Sequence, residues 1–185
     1  MIRVKTGQTN EDSIAEREIL EEVSHAAASD ARVLITGSSG IGKEEIARRI
    51  HLHSARCDGP FVVTNCAAAQ SSLLEALAHA NNGTLFIDEI CALDTVRQEA
   101  LLTFLETAEE ARRLGAADAD RSTDVRIIAA SRRNLYHQVL AGRFNETLFY
   151  RLNVIHIVDP EHRGWDEEVL ESPEETSPEC KVFRH

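Results

Sequence analysis

Short apolar runs alternate along this chain with segments in which apolar residues recur every three or four positions. The runs predict five buried strands, over residues 33–36, 61–64, 84–89, 124–130 and 153–158. The spaced segments predict helices over 13–28, from 44 onward, and over 71–80, 95–114 and 134–142. Nearly continuous apolar strands that alternate with helices are typical of a parallel sheet with helices on both faces. The pattern therefore predicts an α/β fold with three layers.

The first predicted strand leads into a loop with three glycines and a lysine. Strand, glycine-rich loop, lysine and helix form the context in which a GxxxxGK pattern binds phosphate. Glycines let backbone N–H groups approach an anion closely, and the start of the next helix adds partial positive charge. An ordinary glycine-rich turn is the alternative, and the flanking elements disfavour it. We predict that nucleotide phosphates contact Gly37, Ser38, Ser39, Gly40, Ile41, Gly42, Lys43 and Glu44.

A second candidate site element is the apolar strand that ends in two acids, LFIDEI. Asp88, at the carboxyl end of this strand, is predicted to hold Mg²⁺ directly or through water. Glu89 is then placed to orient or deprotonate the water that attacks a γ-phosphate. The alternative is a strand that runs into an acidic helix cap. The phosphate loop about fifty residues upstream favours the nucleotide site.

Composition narrows the classes of function. The 185 residues are 43% hydrophobic, which predicts one core and one domain, and the formal net charge of −11 argues against direct DNA binding by this chain. Scattered cysteines, a polar start and no apolar run of membrane-spanning length predict a cytoplasmic protein without membrane contact. We expect a flexible leader over 1–12, a nucleotide-binding core over 13–158 and a disordered acidic tail over 159–185.

Five sequence blocks resemble the AAA+ ATPase domain of sigma-54-dependent transcriptional activators, the bacterial enhancer-binding proteins. They occur in the family's order: GSSGIGKE, FVVTNCAA, GTLFIDEI, DVRIIAAS and FYRLNV. The resemblance covers about residues 13–158 and implies a P-loop NTPase fold with five parallel strands. It also implies ATP and Mg²⁺ as ligands, and assembly with AAA+ activator subunits into a homo- or hetero-oligomer. Glu44 fits this family, which carries GKE where other P-loops carry GK[ST].

Two more residues receive candidate catalytic roles from the resemblance alone. Asn65 corresponds to an asparagine that restrains the catalytic glutamate in the family, with a polar cap at a strand end as the alternative. Arg151 corresponds to a trans-acting arginine that reaches the γ-phosphate in a neighbouring subunit, with a surface arginine on a helix as the alternative. A guanidinium in that place would neutralise charge that develops during phosphoryl transfer.

The chain also departs from the family pattern. Residues 69–80 are all that joins the NCAA and GTLF blocks, so the longer family segment with the GAFTGA loop that contacts sigma-54 is missing. Asn145 stands where the family has a second trans-acting arginine, and Arg132 stands where it has an asparagine that senses the γ-phosphate. No sequence resembling the family's helical lid or its DNA-binding helix-turn-helix follows Val158.

These departures leave three hypotheses open. The first is an ATP-binding transcription-regulator-type protein with weak or conditional ATPase activity and no remodelling of sigma-54. The second is a non-catalytic nucleotide-binding module that joins or inhibits complete activators. The third is a truncated gene product, since the sequence changes character abruptly after Val158.

Overall fold

The computed structural model describes residues 10–68, 72–114 and 124–158. Helices and strands alternate through these residues, as the apolar pattern predicts. In chain order they are α1 (Asn10–Ala27), β1 (Val33–Thr36), α2 (Lys43–Leu52), β2 (Phe61–Asn65), α3 (Leu73–His79), β3 (Thr84–Asp88), a 3₁₀ turn (Ile90–Ala92), α4 (Thr95–Leu114), β4 (Arg126–Ser131), α5 (Leu135–Leu140), α6 (Glu146–Leu152) and β5 (Ile155–Val158).

The five strands form one parallel sheet in the order β2-β3-β4-β1-β5. The pairing register places Thr36 beside Ser131 and Asn65 beside Asp88. Because all strands run in the same direction, the residues that follow them emerge together at one edge, which we call the carboxyl edge. This arrangement confirms the predicted α/β fold with a parallel five-stranded sheet.

Side chains of successive strand residues alternate between the two faces of the sheet and fill two clusters. One cluster lies against α1 and α2 and includes Val33, Ile35, Ile50, Phe86 and Ile128. The other lies against α3 to α6 and includes Leu34, Ile87, Leu101, Ile127 and Leu148. Full burial of such a side chain stabilises a fold by roughly 1.5–3 kcal/mol. The two clusters make the three layers that the sequence predicts.

Element boundaries differ from the predictions in a few places. Helix α1 begins three residues before the predicted start at residue 13, and β4 begins at Arg126 instead of residue 124. The short helix α6 was not delimited by apolar spacing, because seven residues hold too few turns for a period to show. Apart from residues 10–12, which belong to α1, the predicted leader (1–12) and acidic tail (159–185) lie outside the described residues.

A buried arginine joins α1 to the sheet. The side chain of Arg126 is almost fully buried (1% exposed), and it donates from Nη2 to Ala26 O (2.6 Å) and from Nε to Ala31 O (3.2 Å). Ala26 lies in the last turn of α1, where helix carbonyls have no partners within the helix. The guanidinium therefore satisfies and neutralises the negative end of α1, and it fixes that end against the start of β4.

Arg56 forms a second connection at the amino ends of the strands. It makes two hydrogen bonds to Asp30 (2.6 and 2.8 Å) and two to Asp124 (3.0 Å each), and Arg112 also pairs with Asp124 (2.7 Å). Burial raises the pKa of Asp124, but the hydrogen bonds from Arg56 and Arg112 outweigh burial and hold it below its ordinary value. These ion pairs join α4 and the segments that precede β1 and β4.

No helix in the described part of the chain combines the length and the apolar composition needed to cross a membrane.

We predict that stability decreases below about pH 6.5 because of His51. Burial and the charges of Arg126 and Arg48 lower the pKa of this histidine below its ordinary value of 6.5, and its Nδ1 lies 3.0 Å from Thr84 Oγ1. As the pH falls from 6.5 towards the lowered pKa, His51 becomes protonated in the unfolded chain but stays neutral in the folded chain. The free energy of unfolding should therefore fall by at most about 1.4 kcal/mol per pH unit.

Chemical denaturation between pH 7.5 and 5 measures this slope. His51→Gln should reduce it, whereas the exposed His53→Gln serves as the control and should keep it. An unchanged slope in His51→Gln would show that the pH dependence has another source.

Candidate functional site

The loop between β1 and α2 needs glycine at two positions. Gly40 has φ 94° and Gly42 has φ 83°, both in the left-handed region that side chains other than glycine rarely adopt. Gly42 is the N-cap of α2, and no side chain caps this helix start. The loop therefore turns back over a helix N-terminus whose first amide groups are not used by side-chain caps, which is the geometry of an anion site.

Lys43 reaches back over the loop from the first position of α2. Its ammonium donates to Gly37 O (3.1 Å) and to Ser38 O (2.8 Å), and the residue is 8% exposed. An ammonium has three donors, so these two hydrogen bonds leave one for an incoming group. The charge is held above the loop by the loop's own backbone.

Glu44 is directed away from this ammonium. Its carboxylate pairs with Arg48 one turn along α2 at 2.8 Å, and its side chain is 52% exposed. It does not supply the hydroxyl that other P-loops offer to Mg²⁺, which agrees with the GKE pattern. Of the predicted phosphate-contact residues, Glu44 is therefore the one whose side chain engages the outer surface of the helix.

Asp88 and Asn65 face each other at the carboxyl ends of β3 and β2. Asn65 Nδ2 donates to Asp88 Oδ2 at 3.2 Å, and Asn65 Oδ1 accepts from Ala67 N at 2.8 Å. The other Asp88 oxygen accepts from Glu89 N at 3.0 Å. The sequence prediction assigns Asn65 to the restraint of Glu89, whereas the contact in this structure is with the preceding acid.

Glu89 is held by a cation instead. Its carboxylate Oε1 lies 2.6 Å from Arg132 Nε, with side-chain exposures of 11% for Glu89 and 55% for Arg132. Cys91 Sγ is 3.9 Å from the other oxygen. The backbone of Glu89 is left-handed, with φ 52° and ψ 48°, a conformation that costs a residue other than glycine about 1 kcal/mol. Strain of this kind concentrates at functional sites.

One hydrogen bond joins the phosphate loop to the end of β4. Gly37 N donates to Ser131 O at 3.2 Å, one position beyond the last paired residue of β1. Arg132 follows Ser131 directly, and Glu89 follows the neighbouring strand β3. The glycine-rich loop, Lys43, Asp88 and Glu89 therefore share the carboxyl edge, as the sequence predicts.

The carboxyl edge offers one carboxylate, that of Asp88, as a metal ligand. Within residues 10–68, 72–114 and 124–158, no group of three or more His, Cys, Asp or Glu side chains is arranged to hold a metal ion. Asp88 offers a single carboxylate, and Mg²⁺ at nucleotide sites is commonly held by one or two carboxylates together with phosphate oxygens and water. The residues thus fit a magnesium ion that arrives with a nucleotide.

Arg151 lies far from the loop of its own chain. It pairs with Glu109 and, at 3.2 Å, with Glu106, both on α4, and Arg32 pairs with Glu109 at 2.7 Å. Arg32 immediately precedes β1, so this cluster is at the amino edge of the sheet, opposite the carboxyl edge. Burial raises the pKa of Glu109, but the hydrogen bonds from Arg32 and Arg151 outweigh burial and lower it.

Asn145 has a structural role that apolar spacing did not reveal. Its side chain is the N-cap of α6 and accepts from Leu148 N at 2.9 Å, while its own N–H donates to Gln98 Oε1 at 2.8 Å. The buried Gln98 also donates to Leu93 O and Arg143 O. An Asn six residues before Arg151 is a cap signal in the sequence, but the Gln98 contact spans 47 residues and has no local signal.

The fold and this edge together define the class of protein: a P-loop NTPase domain. The family model for the sigma-54 interaction domain matches residues 9–78 and 76–158. The chain belongs to this family. The match in two parts that meet near residue 77 agrees with the shortened connection between the NCAA and GTLF blocks.

Curated relatives are similar over most of this chain. It is 41% identical over 178 aligned positions to the regulatory protein AtoC of Escherichia coli K12, covering 85% of this chain and 38% of AtoC. It is 41% identical over 177 positions to the transcriptional regulatory protein ZraR of Salmonella typhimurium, covering 85% of this chain and 40% of ZraR. The chain thus spans about 40% of the length of these relatives.

The AtoC alignment also contains an internal difference in length. Coverage of 85% of 185 residues is about 157 residues, fewer than the 178 aligned positions. AtoC therefore has aligned positions with no counterpart in this chain.

Solved structures agree on the fold. NtrX from Brucella abortus in complex with ATP has a TM-score of 0.67 and 30% identity, over 84% of this chain and 39% of NtrX. A P-loop NTPase domain of a sigma-54 activator from E. coli has a TM-score of 0.55 and 20% identity, over 71% of this chain and 98% of that domain. These matches confirm the P-loop architecture of the sheet and helices.

We predict that Asn145→Ala lowers the free energy of unfolding by about 1 kcal/mol, because α6 loses its N-cap. Asn145→Asp is the matched control, since an aspartate accepts the same hydrogen bond and should keep most of the stability. Urea denaturation of the three proteins at neutral pH measures the difference. Equal loss in both variants would show that the cap contributes nothing.

Proposed function

We propose that this chain is the nucleotide-binding domain of a transcription-regulator-type protein, that it binds ATP with Mg²⁺, and that its ATPase activity is weak or conditional. The observation that carries the proposal is the position of Lys43. A buried ammonium is held beside two left-handed glycines and a helix N-terminus, which is where a triphosphate needs positive charge. Its relative NtrX has been solved in complex with ATP.

In the proposed complex, the phosphates contact residues 37–44 and Lys43 lies at the β- and γ-phosphates. Asp88 would hold the Mg²⁺, which when bound neutralises charge on the phosphate oxygens. Glu89 would orient or deprotonate the attacking water. Asn65 would act on this pair of acids through its hydrogen bond to Asp88.

Arg151 would act only on the site of another subunit. At the amino edge of its own sheet it cannot approach its own phosphate loop, but in an assembly of AAA+ subunits it would face a neighbour's γ-phosphate. Its ion pairs with Glu106 and Glu109 must then be exchanged for the phosphate. This competition would make turnover depend on assembly. A trans-acting arginine is worth about 10³-fold or more in nucleotide hydrolases.

Two features support weak turnover. Asn145, at the place of the family's second trans-acting arginine, is engaged as a helix cap. Arg132 holds the carboxylate that would activate water. The shortened connection after residue 68 also lacks the family's GAFTGA loop, so we propose that this chain does not remodel sigma-54 directly.

The alternative is a non-catalytic module that binds nucleotide and joins or inhibits complete activators. The paired states of Glu89 and Arg151 favour it, because both candidate catalytic charges are neutralised within the chain. The two functions differ in turnover and not in nucleotide binding.

We predict that Lys43→Ala abolishes measurable ATP binding, because the loop loses the buried ammonium that Gly37 O and Ser38 O hold over it. Isothermal titration calorimetry with ATP and Mg²⁺ compares the variant with the unaltered protein. Arg48→Ala, which removes a cation from the outer surface of the same helix, is the control and should bind normally. Affinity retained within a few-fold in Lys43→Ala would refute the assigned loop.

We also predict that ATP hydrolysis rises more than linearly with protein concentration and is lost in Glu89→Gln. Glu99→Gln, an exposed acid on α4, is the matched control and should hydrolyse ATP normally. Phosphate release at increasing protein concentration measures turnover, and mass in solution with a non-hydrolysable analogue measures assembly. ATP binding without any turnover, together with co-assembly with a full-length activator, would favour the non-catalytic module.

A further inference from the structure

Arg132 and Glu89 form the one ion pair, among the described residues, that joins two strand ends at the proposed nucleotide site. The guanidinium Nε lies 2.6 Å from Glu89 Oε1. Glu89 follows β3 and Arg132 follows the neighbouring strand β4, so the two residues come from adjacent strand ends. The ion pair thus lies in the group of residues proposed to surround the γ-phosphate.

The two partners differ in how firmly they are held. The Glu89 side chain is 11% exposed and its backbone is left-handed, whereas the Arg132 side chain is 55% exposed. The 2.6 Å contact uses Nε, one of five guanidinium N–H donors. Arg132 can therefore change partner without unpacking the core, and Glu89 cannot.

A bound triphosphate would compete for this arginine. The loop that would hold the phosphates begins beside Arg132, because Gly37 N donates to Ser131 O. Planar guanidinium groups match phosphate oxygens well, and a γ-phosphate carries more negative charge than one carboxylate. A diphosphate, which lacks the γ-phosphate, would leave the carboxylate as the better partner.

We propose that Arg132 is a γ-phosphate-dependent latch on Glu89, an inference that rests on the proposed nucleotide site. Without a γ-phosphate, the Arg132 guanidinium pairs with the Glu89 carboxylate and prevents it from contacting the attacking water. With ATP bound, Arg132 turns to the γ-phosphate and releases Glu89. Arg132 thus favours binding of ATP over ADP, and it leaves Glu89 free to act on water only while a γ-phosphate is bound.

The latch makes a prediction about binding alone. If Glu89 competes with the γ-phosphate for Arg132, Glu89→Gln should strengthen binding of a non-hydrolysable ATP analogue by about fivefold, a factor typical of a partly exposed ion pair. Binding of ADP should change less than twofold. This gain in affinity should vanish in the Arg132→Gln background, because the guanidinium for which Glu89 and the γ-phosphate compete is then absent.

Calorimetry measures this double-mutant cycle. It compares the unaltered protein with Glu89→Gln, with Arg132→Gln and with the double variant, each titrated with the ATP analogue and with ADP. Arg133→Gln is the matched control, since it removes an exposed arginine one position away and should preserve the fivefold gain. Arg132→Lys keeps the charge and should restore part of the gain. Thermal melts of each variant confirm folding.

Two outcomes would overturn the latch. A gain of equal size in the Arg132→Gln background would show simple charge repulsion between Glu89 and the phosphate. No gain in Glu89→Gln would show that the ion pair is static. Both leave nucleotide binding by the unaltered protein intact, whereas a protein that bound neither nucleotide would refute the proposed function and the latch together.

Discussion

The parallel pairing of β1 with β4 is the constraint on which the rest of the structure depends. It places Thr36 beside Ser131, and the following amide of Gly37 donates to Ser131 O. That contact starts the glycine-rich loop at the residue that precedes Arg132. A shift of one residue would turn every β1 side chain to the opposite face, so burial on both faces fixes the register and with it the site.

Arginines paired with carboxylates occur at both edges of the sheet, but in different physical settings. At the amino edge, Arg56 has 12% of its side chain exposed and engages two aspartates, which ties α4 and β4 to the segment before β1. At the carboxyl edge, the Arg132 side chain is 55% exposed and pairs with one carboxylate, that of Glu89. The first kind of contact is costly to break and stabilises the fold, whereas the second kind can exchange partners. The nucleotide is therefore proposed to bind at the carboxyl edge, where Arg132 can exchange partners.

The sequence predicted the strands well and the individual contacts less well. Apolar runs located all five strands. The inner strands β1, β3 and β4 are buried on both faces, as such runs predict, whereas the edge strands β2 and β5 are partly exposed although they also carry apolar residues. Arg126 was placed in a strand without any sign that it would be fully buried, since its partners are carbonyls about a hundred residues away. Two contacts depend on which strands are neighbours: that of Asn65 with Asp88 and that of Arg132 with Glu89. The local spacing of apolar residues does not reveal the order of strands in the sheet.

What the sequence determined by itself was the class of fold, the phosphate loop and the family, because glycine placement, apolar runs and ordered blocks are local features of the chain. Tertiary structure decided which charges meet. Arg151 pairs with acids on α4, and Arg132 pairs with the acid that would activate water. These pairings join residues more than 40 positions apart. The energy of an ion pair depends on distance and burial, which only the folded chain defines.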